Sequence, residues 1–236
     1  MSTANAPFSS VIVPVYNEGE RLLGFVQQTI DLIGRENQVI VVDGGSNDES
    51  INQIRSLAKV EKNLIVISAP KSRAIQMNAG AKLATADNLV FLHADTTLPR
   101  CALTELVHFS SSESVWGRFD LKLNNGALRY KTISWFINKR SRLTSIATGD
   151  QAIFVRRATF EKINGYVAQP LMEDIELSIR LKRISKPYCI KKVVITSARK
   201  WEKEGVIKTV WLMWKLRAAY ARGVSPNILV KEYYKH

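Results

Sequence analysis

The chain has 236 residues, 46% of them hydrophobic and 23% charged, which suits one large domain or two small ones and excludes a polypeptide too polar to build a core. Its 34 Lys and Arg against 21 Asp and Glu give a formal charge of +13, a balance that attracts nucleic acid, anionic lipid or phosphorylated substrates without choosing among them. Only two cysteines occur, Cys101 and Cys189, and their spacing supports neither a disulfide framework nor a thiolate zinc site, so a reducing cytoplasm fits. Residues 1–10 lack the charged-then-apolar pattern of a signal peptide, and no apolar run reaches the length of a spanning helix. Any membrane contact is therefore expected to be peripheral.

Apolar strands alternate with helical patterns over the first hundred residues. Residues 11–15 read as a short buried strand, and 20–33 have helical spacing with Leu22, Leu23, Val26 and Ile30 on one face and Gly34 as the stop. Residues 39–42 form a second strand. Ser46-Asn47-Asp48-Glu49 has capping-box spacing and predicts a helix through Leu57. A third strand at 64–68, a helix at 74–84 and a fourth strand at 89–92 follow. Repeated strand-helix-strand units imply an α/β fold with a mostly parallel sheet and helices on both faces.

After Pro99 the rhythm changes. The pattern predicts a helix at 100–109, a strand at 115–123 with Trp116, Phe119, Leu121 and Leu123 bulky and apolar, and another strand at 151–155. A helix at 173–184 is broken by Lys186-Pro187, 188–196 reads as the last strand, and a C-terminal helix spans about 206–222. With no linker and no internal repeat, one continuous domain over 1–236 is the simplest assignment.

Four carboxylates carry the chemistry: Glu18, Asp43, Asp95 and Asp174, three of them just past the ends of strands. The carboxyl ends of strands in an open α/β sheet form the ligand crevice, so acids there suggest a shared site for a metal, a sugar hydroxyl or a base. Each acid also suits a helix cap or a turn taken singly. The residues alone leave the two readings open.

Their surroundings carry a resemblance. Val11-Ile12-Val13-Pro14-Val15-Tyr16-Asn17-Glu18, Val41-Val42-Asp43-Gly44-Gly45-Ser46-Asn47-Asp48, Arg73 with Asn78 and Gly80, His93-Ala94-Asp95, and Met172-Glu173-Asp174 come in the order seen in family 2 glycosyltransferases. Over roughly residues 9–201 the chain resembles a small bacterial member with the GT-A fold. His-Ala-Asp at the metal motif is similar to a subgroup with members linked to arsenosugar pathways. The resemblance implies a nucleotide-binding half at about 9–98, an acceptor and catalytic half at about 99–201, and a helical extension at 202–236.

It also implies site roles. Transfer from a nucleoside-diphosphate sugar, of UDP or GDP type, requires charge stabilisation at a departing diphosphate, and Asp95 would hold the divalent Mg or Mn that supplies it. Pro14, Tyr16 and Glu18 would line the nucleotide pocket, Asp43 would meet the base or ribose, and Arg73, with Asn78 and Gly80, would help hold the nucleotide. Where the common motif begins with Asp this chain has His93, followed by Ala94; His93 either supplies one hydrogen bond or packs. Asp174 would be the general base of an inverting transfer, with Glu173 positioning the acceptor or its loop. Gly149, Asp150 and Gln151 resemble the segment beside the acceptor, and Arg199 and Trp201 would meet diphosphate and sugar or carrier. His108 and His236 read as ordinary residues, which leaves no histidine for a further metal ligand after the last strand.

Ile207, Val210, Trp211, Trp214 and Ala218 fall at helical spacing among Lys208, Lys215, Arg217 and Arg222. Such a stripe packs on the core or on a second subunit, as in a homodimer, or lies on an anionic membrane at its inner face near a lipid-linked acceptor. Residues 133–137, with Trp135 and Phe136 between Lys131, Lys139 and Arg140, are a second candidate contact surface. Two rival functions stand beside the transferase. A sugar-phosphate nucleotidyltransferase lacks its glycine-rich loop here, and a nucleic-acid-binding module leaves the ordered acids unexplained, so no nucleic acid is expected.

Overall fold

The computed structural model describes residues 7–235; His236 and residues 1–6 of the segment read for a leader lie outside them. The first half alternates as its sequence pattern predicts: β1 Ser9–Val15, α1 Arg21–Ile33, β2 Gln38–Asp43, α2 Ser50–Leu57, β3 Leu64–Ser68, α3 Arg73–Leu83 and β4 Asn88–Phe91. The second half contains β5 Thr96–Thr97, α4 Ala102–Ser110, β6 Trp116–Leu123, α5 Leu128–Thr144, a 3-10 turn Gly149–Gln151, β7 Phe154–Arg156, α6 Arg157–Lys162, α7 Glu173–Leu181 and β8 Tyr188–Thr196. Three helices follow: α8 Arg199–Glu204, α9 Val206–Ala221 and α10 Pro226–Tyr234.

One sheet of eight strands runs in the order β3-β2-β1-β4-β7-β6-β8-β5. Helical crossovers keep β3, β2, β1 and β4 parallel, while β7 enters antiparallel to both β4 and β6, and β5 antiparallel to β8. The period of two in β1 and β2 sends Val11, Val13, Val39 and Val41 to one face, where α1, α2 and α4 cover them. Ile12, Ile40 and Val42 go to the other, under α3, α6 and α7. Burying each such side chain contributes roughly 1.5–3 kcal/mol. At Gly80, α3 comes so close that a β-carbon would lie 2.5 Å from Ile12 Cγ2.

Beyond Gly117, β6 no longer pairs with β7, and its freed backbone groups are met by side chains. Asn138 of α5 donates to Leu121 O and accepts from Leu121 N, both at 2.9 Å; Ser134 Oγ accepts from Leu123 N at 3.1 Å, and Gln151 Nε2 donates to Phe119 O at 3.4 Å. This stitching explains a 17-residue helix where the sequence pattern gave none.

Several expectations change. Ser46 is no cap for α2: its Oγ accepts the Asn17 amide, while Asp48 accepts from Ser50, so the helix begins three residues later than the capping-box spacing suggested. The expected strand at 151–155 is divided between the 3-10 turn and β7, because buried Gln151 closes a capping box on Thr148. The helix predicted to 184 ends at Leu181. In α9 the stripe of Ile207, Trp211 and Trp214 does not pack on the core. Thr209, Leu212 and Leu216 are the buried face instead, set against Met172, Ile175 and Leu229, and the tryptophans point outward.

Candidate active site

A cleft of about 580 Å³ opens at the carboxyl ends of β1 and β4. Its walls come from Pro14, Tyr16 and Glu18 after β1, from Arg73 and Gln76 of α3, from His93, Ala94 and Asp95 after β4, and from Leu171 and Glu173 at the start of α7. α10 completes it with Val230, Tyr233 and Tyr234, a contribution absent from the sequence reading. The signal existed: Ser225-Pro226 is a cap followed by proline at N1, and Ser225 Oγ accepts from Asn227 N at 3.3 Å.

The end of β1 is fixed before any ligand arrives. Gln76 Nε2 donates to Val15 O at 2.9 Å and to Val42 O at 2.8 Å, tying β1 to β2 from below. Asp43, buried at the end of β2, accepts the Ser46 amide at 2.9 Å and so shapes the Gly44-Gly45 turn rather than lining the cleft. Tyr16 is half exposed, with Lys71 Nζ 3.6 Å above its ring centroid.

Glu18 and Asp95 face one another electrostatically. Burial first, then the negative charge of Asp95, raises the Glu18 pKa, against the pull of Arg199 and Arg73. Arg199 approaches Asp95 to 4.0 Å. The cleft walls crowd the Arg73 guanidinium and oppose its charge, but Glu173 and Asp150 outweigh this and raise its pKa.

From His93 at the cleft a chain of contacts leads to three candidate residues outside its lining, Asp150, Gly149 and Asp174. His93 Nδ1 lies 3.1 Å from Asp150 Oδ1. Burial pushes the Asp150 pKa up, yet the His93 bond and the charges of His93 and Arg73 overcome it and the net shift is downward. Gly149, next in chain, donates its amide to Asp174 Oδ2 at 2.9 Å, and Asp174 Oδ1 accepts from Ile175 N at 2.7 Å. Burial raises the Asp174 pKa despite those two amides, with Asp150 adding to the rise. Glu173 is only 6% exposed and is raised by burial and by Asp174. Two adjacent acids at a helix start are turned into place by Met172, a non-glycine residue in the left-handed region at φ 65°.

Other expected residues sit elsewhere. Asn78 exchanges hydrogen bonds with the backbone of Tyr166, at 2.8 and 2.9 Å, and pins the segment before α7. Gly80 and Gln151 are packing residues, as described above. Trp201 joins Leu123, Tyr130, Ile133 and Val206 in a cluster outside the cleft. Lys200, beside it, reaches Tyr233, its Nζ 3.2 Å above the ring centroid, and burial pushes the Tyr233 hydroxyl up to about 12. Arg140 of α5, which the sequence reading used only as a flanking charge, is close enough to Asp174 to feel its charge, and its Nε and Nη2 are buried without hydrogen-bond partners.

Among the described residues no group of three or more His, Cys, Asp or Glu side chains could hold a metal by itself. A divalent cation that keeps water and substrate phosphate in its shell needs only one or two protein carboxylates. Asp95 fits that demand, as its carboxylate is partly exposed at the cleft and the mutual repulsion with Glu18 favours a cation between substrate and protein.

The fold is that of the GT-A glycosyltransferases. Residues superpose on the mannosyltransferase PcManGT from Pyrobaculum calidifontis, solved with GDP-Man and Mn2+, with a TM-score of 0.66 and 18% identity over 97% of this chain and 70% of that one. A structure of S. aureus TarS 1-349 in complex with UDP-GlcNAc gives 0.58 and 19% over 80% of this chain and 56% of that one. Residues 10–163 match the model of Glycosyl transferase family 2, and the chain belongs to that family. It is 27% identical over 239 residues to the probable glycosyltransferase YdaM of Bacillus subtilis (strain 168), covering 92% of this chain and 55% of that protein. It is 34% identical over 104 residues to an undecaprenyl-phosphate 4-deoxy-4-formamido-L-arabinose transferase of Enterobacter sp. (strain 638), covering 42% of this chain and 32% of the relative. The chain thus spans about half the length, or less, of these curated relatives.

Proposed function

We propose that the chain is a metal-dependent, inverting glycosyltransferase that moves a sugar from a UDP- or GDP-type donor to an acceptor hydroxyl. The observation that carries this reading is the gathering of Glu18, Asp95 and Glu173 around one cleft, with the Arg73 guanidinium close enough to Glu18 and Glu173 to feel both charges and Asp174 next to Glu173 in the chain. Mg or Mn bound at Asp95 would supply charge neutralisation for the diphosphate. Arg73 and Arg199 would bind the same phosphates, and Tyr16 and Pro14 would seat the nucleoside, with Asp43 holding the turn behind them.

Asp174 is the general base. Burial raises its pKa above the ordinary carboxylate value and so strengthens it as a base, and the Gly149 and Ile175 amides hold its two carboxylate oxygens. As the acceptor oxygen forms its bond to the anomeric carbon, its proton passes to Asp174. The anomeric carbon–oxygen bond breaks on the opposite face, and the electron pair leaves with the diphosphate. Glu173 orients the acceptor, and His93 with Asp150 holds the Gly149 turn beneath it.

Family membership favours transfer over nucleotidyl transfer or nucleic-acid binding. The His93-Ala94-Asp95 triplet supports placement in the subgroup with arsenosugar links. Residues 1–236 act as one domain, with nucleotide-binding, acceptor and helical portions at 9–98, 99–201 and 202–236, in the cytoplasm and peripheral to the inner face of the membrane. The test is thermal-shift binding of UDP, GDP, CDP and TDP with and without Mn²⁺, since ligand at a hundredfold its Kd stabilises the fold by about 2.7 kcal/mol. A Mn²⁺-dependent preference for one diphosphate supports the reading; no shift with any of them sinks it. Asp174→Asn should keep donor binding and lose transfer, and normal transfer by that variant would remove the base assignment.

A further inference from the structure

α9 is apolar on both sides. Its inner side rests on the core, while Ile207, Trp211 and Trp214 stand 86%, 62% and 74% exposed on the outside. α5 repeats the arrangement: Tyr130 and Ile133 face inward, and Leu128, Trp135, Phe136 and Leu143 are exposed. The two helices are neighbours, because Ile133 and Ile137 share a cluster with Val206, and a cavity of about 520 Å³ is lined by Arg129 and Tyr130 from one and Val206, Ile207 and Lys208 from the other.

Charge selects what covers these faces. Arg129, Lys131 and Lys139 of α5 and Lys208 of α9 are exposed, whereas Arg140 has its Nε and Nη2 buried, Arg142 is paired with Asp120 and Lys215 with Glu232 of α10; neither α5 nor α9 contains an Asp or Glu. Basic groups lie beside exposed indoles: Lys139 Nζ is 5.7 Å from the Trp135 ring centroid and Lys215 Nζ is 5.2 Å from that of Trp211. Glu202 lines the cavity and Glu232 meets Lys215, but the surface is basic on balance, and a second copy joined by a two-fold axis would set it against itself at the cost of like-charge contacts. Tryptophans at headgroup depth with lysines reaching phosphates match an anionic bilayer. No helix among the described residues is long and apolar enough to cross a membrane.

We propose that the outward faces of α5 and α9 form one docking surface for an anionic lipid bilayer, the protein lying on it through Trp135, Phe136, Trp211 and Trp214 with the lysines at the phosphates. The inference rests on the reading above that the protein lies at a membrane and names the faces that make the contact; its test uses no nucleotide, so its failure would leave the transfer reading standing.

The experiment is co-sedimentation of the full chain with phosphatidylcholine vesicles, with and without phosphatidylglycerol. The wild type should pellet only with the anionic vesicles, and should be released as salt rises, because screening shortens the reach of the lysines to about 8 Å at physiological ionic strength. Trp211→Ala with Trp214→Ala, Trp135→Ala with Phe136→Ala, and Lys131→Glu with Lys139→Glu and Lys208→Glu should each weaken binding by at least about tenfold, the loss of one to two surface lysine contacts or their equivalent. All these side chains are exposed, and unchanged far-ultraviolet circular dichroism would show that the variants are folded. Failure of the wild type to pellet with anionic vesicles overturns the proposal. So does equal binding to neutral vesicles, or binding that only one helix's variants weaken. A salt-resistant dimer in solution that the tryptophan variants dissociate would likewise overturn it, by making a second copy the occupant.

Discussion

His93 and Asp150, 57 positions apart in the chain, meet at 3.1 Å directly over Gly149, so closely that a β-carbon on that glycine would fall 2.4 Å from His93 Cε1. The imidazole, the turn and the Asp174 carboxylate therefore form one packed unit, since the Gly149 amide is also the donor to Asp174. Gly149→Ala should displace the turn and lower kcat with a stability loss of about 1–3 kcal/mol from overpacking. Adding His93→Ala opens space for the methyl group and should recover most of the lost Tm without restoring kcat. Steady-state kinetics and thermal melts on the single and double variants check both halves.

Asp95→Ala should abolish the Mn²⁺-dependent part of donor binding while leaving the fold intact, because the carboxylate is partly exposed and makes only a 3.4 Å bond from Thr96 Oγ1 within the protein. Calorimetric titration of the nucleoside diphosphate with and without Mn²⁺ reads this directly. Donor binding that stays metal-dependent in the variant would require another ligand set.

Glu173→Gln tests the cost of the buried acid pair. Burial and the adjacent Asp174 hold the Glu173 pKa above its ordinary value of 4.5. A group raised on folding contributes stability that is complete below its unfolded pKa and is lost as pH rises through the folded one. As pH rises above 4.5 the wild type progressively loses that contribution, whereas Gln carries no charge at any pH. The variant should thus melt higher than wild type at neutral pH, and the difference should vanish as pH falls toward and below 4.5. Melting curves across this range give the answer, and a gap independent of pH would refute the assignment.

Gly80→Ala should destabilise the fold by about 1–3 kcal/mol, or roughly 2–4 °C in Tm per kcal/mol for a domain of this size, by forcing α3 away from Ile12 and Val42. Donor affinity measured well below the melting range should stay near that of wild type. A large affinity loss with an unchanged Tm would return Gly80 to the binding surface.

Sequence patterns revealed the first half of the fold because its strands are buried on both faces: Val39 to Val42 are all inaccessible, and an uninterrupted apolar run can be read without knowing its partners. α5 escaped because much of its apolar content faces outward, so Leu128, Trp135, Phe136 and Leu143 blur the period of its buried side. In the site, acids at strand ends were legible from position alone. What separates Asn78, Gly80 and Gln151 from cleft residues is their distant partners, Tyr166, Ile12 and Phe119, and local spacing carries no trace of those. The His93 to Asp150 contact and the closure of the cleft by Tyr233 have the same long-range origin.

Leu212 and Leu216 belong to the cluster that seats Met172, the residue whose left-handed backbone aims Glu173 and Asp174, while Trp211 and Trp214 stand on the other side of the same helix. α9 therefore has one side in the outer surface and the other against the residue that carries the two acids, so a substitution that shifts the helix, such as Leu212→Ala, would be felt at both.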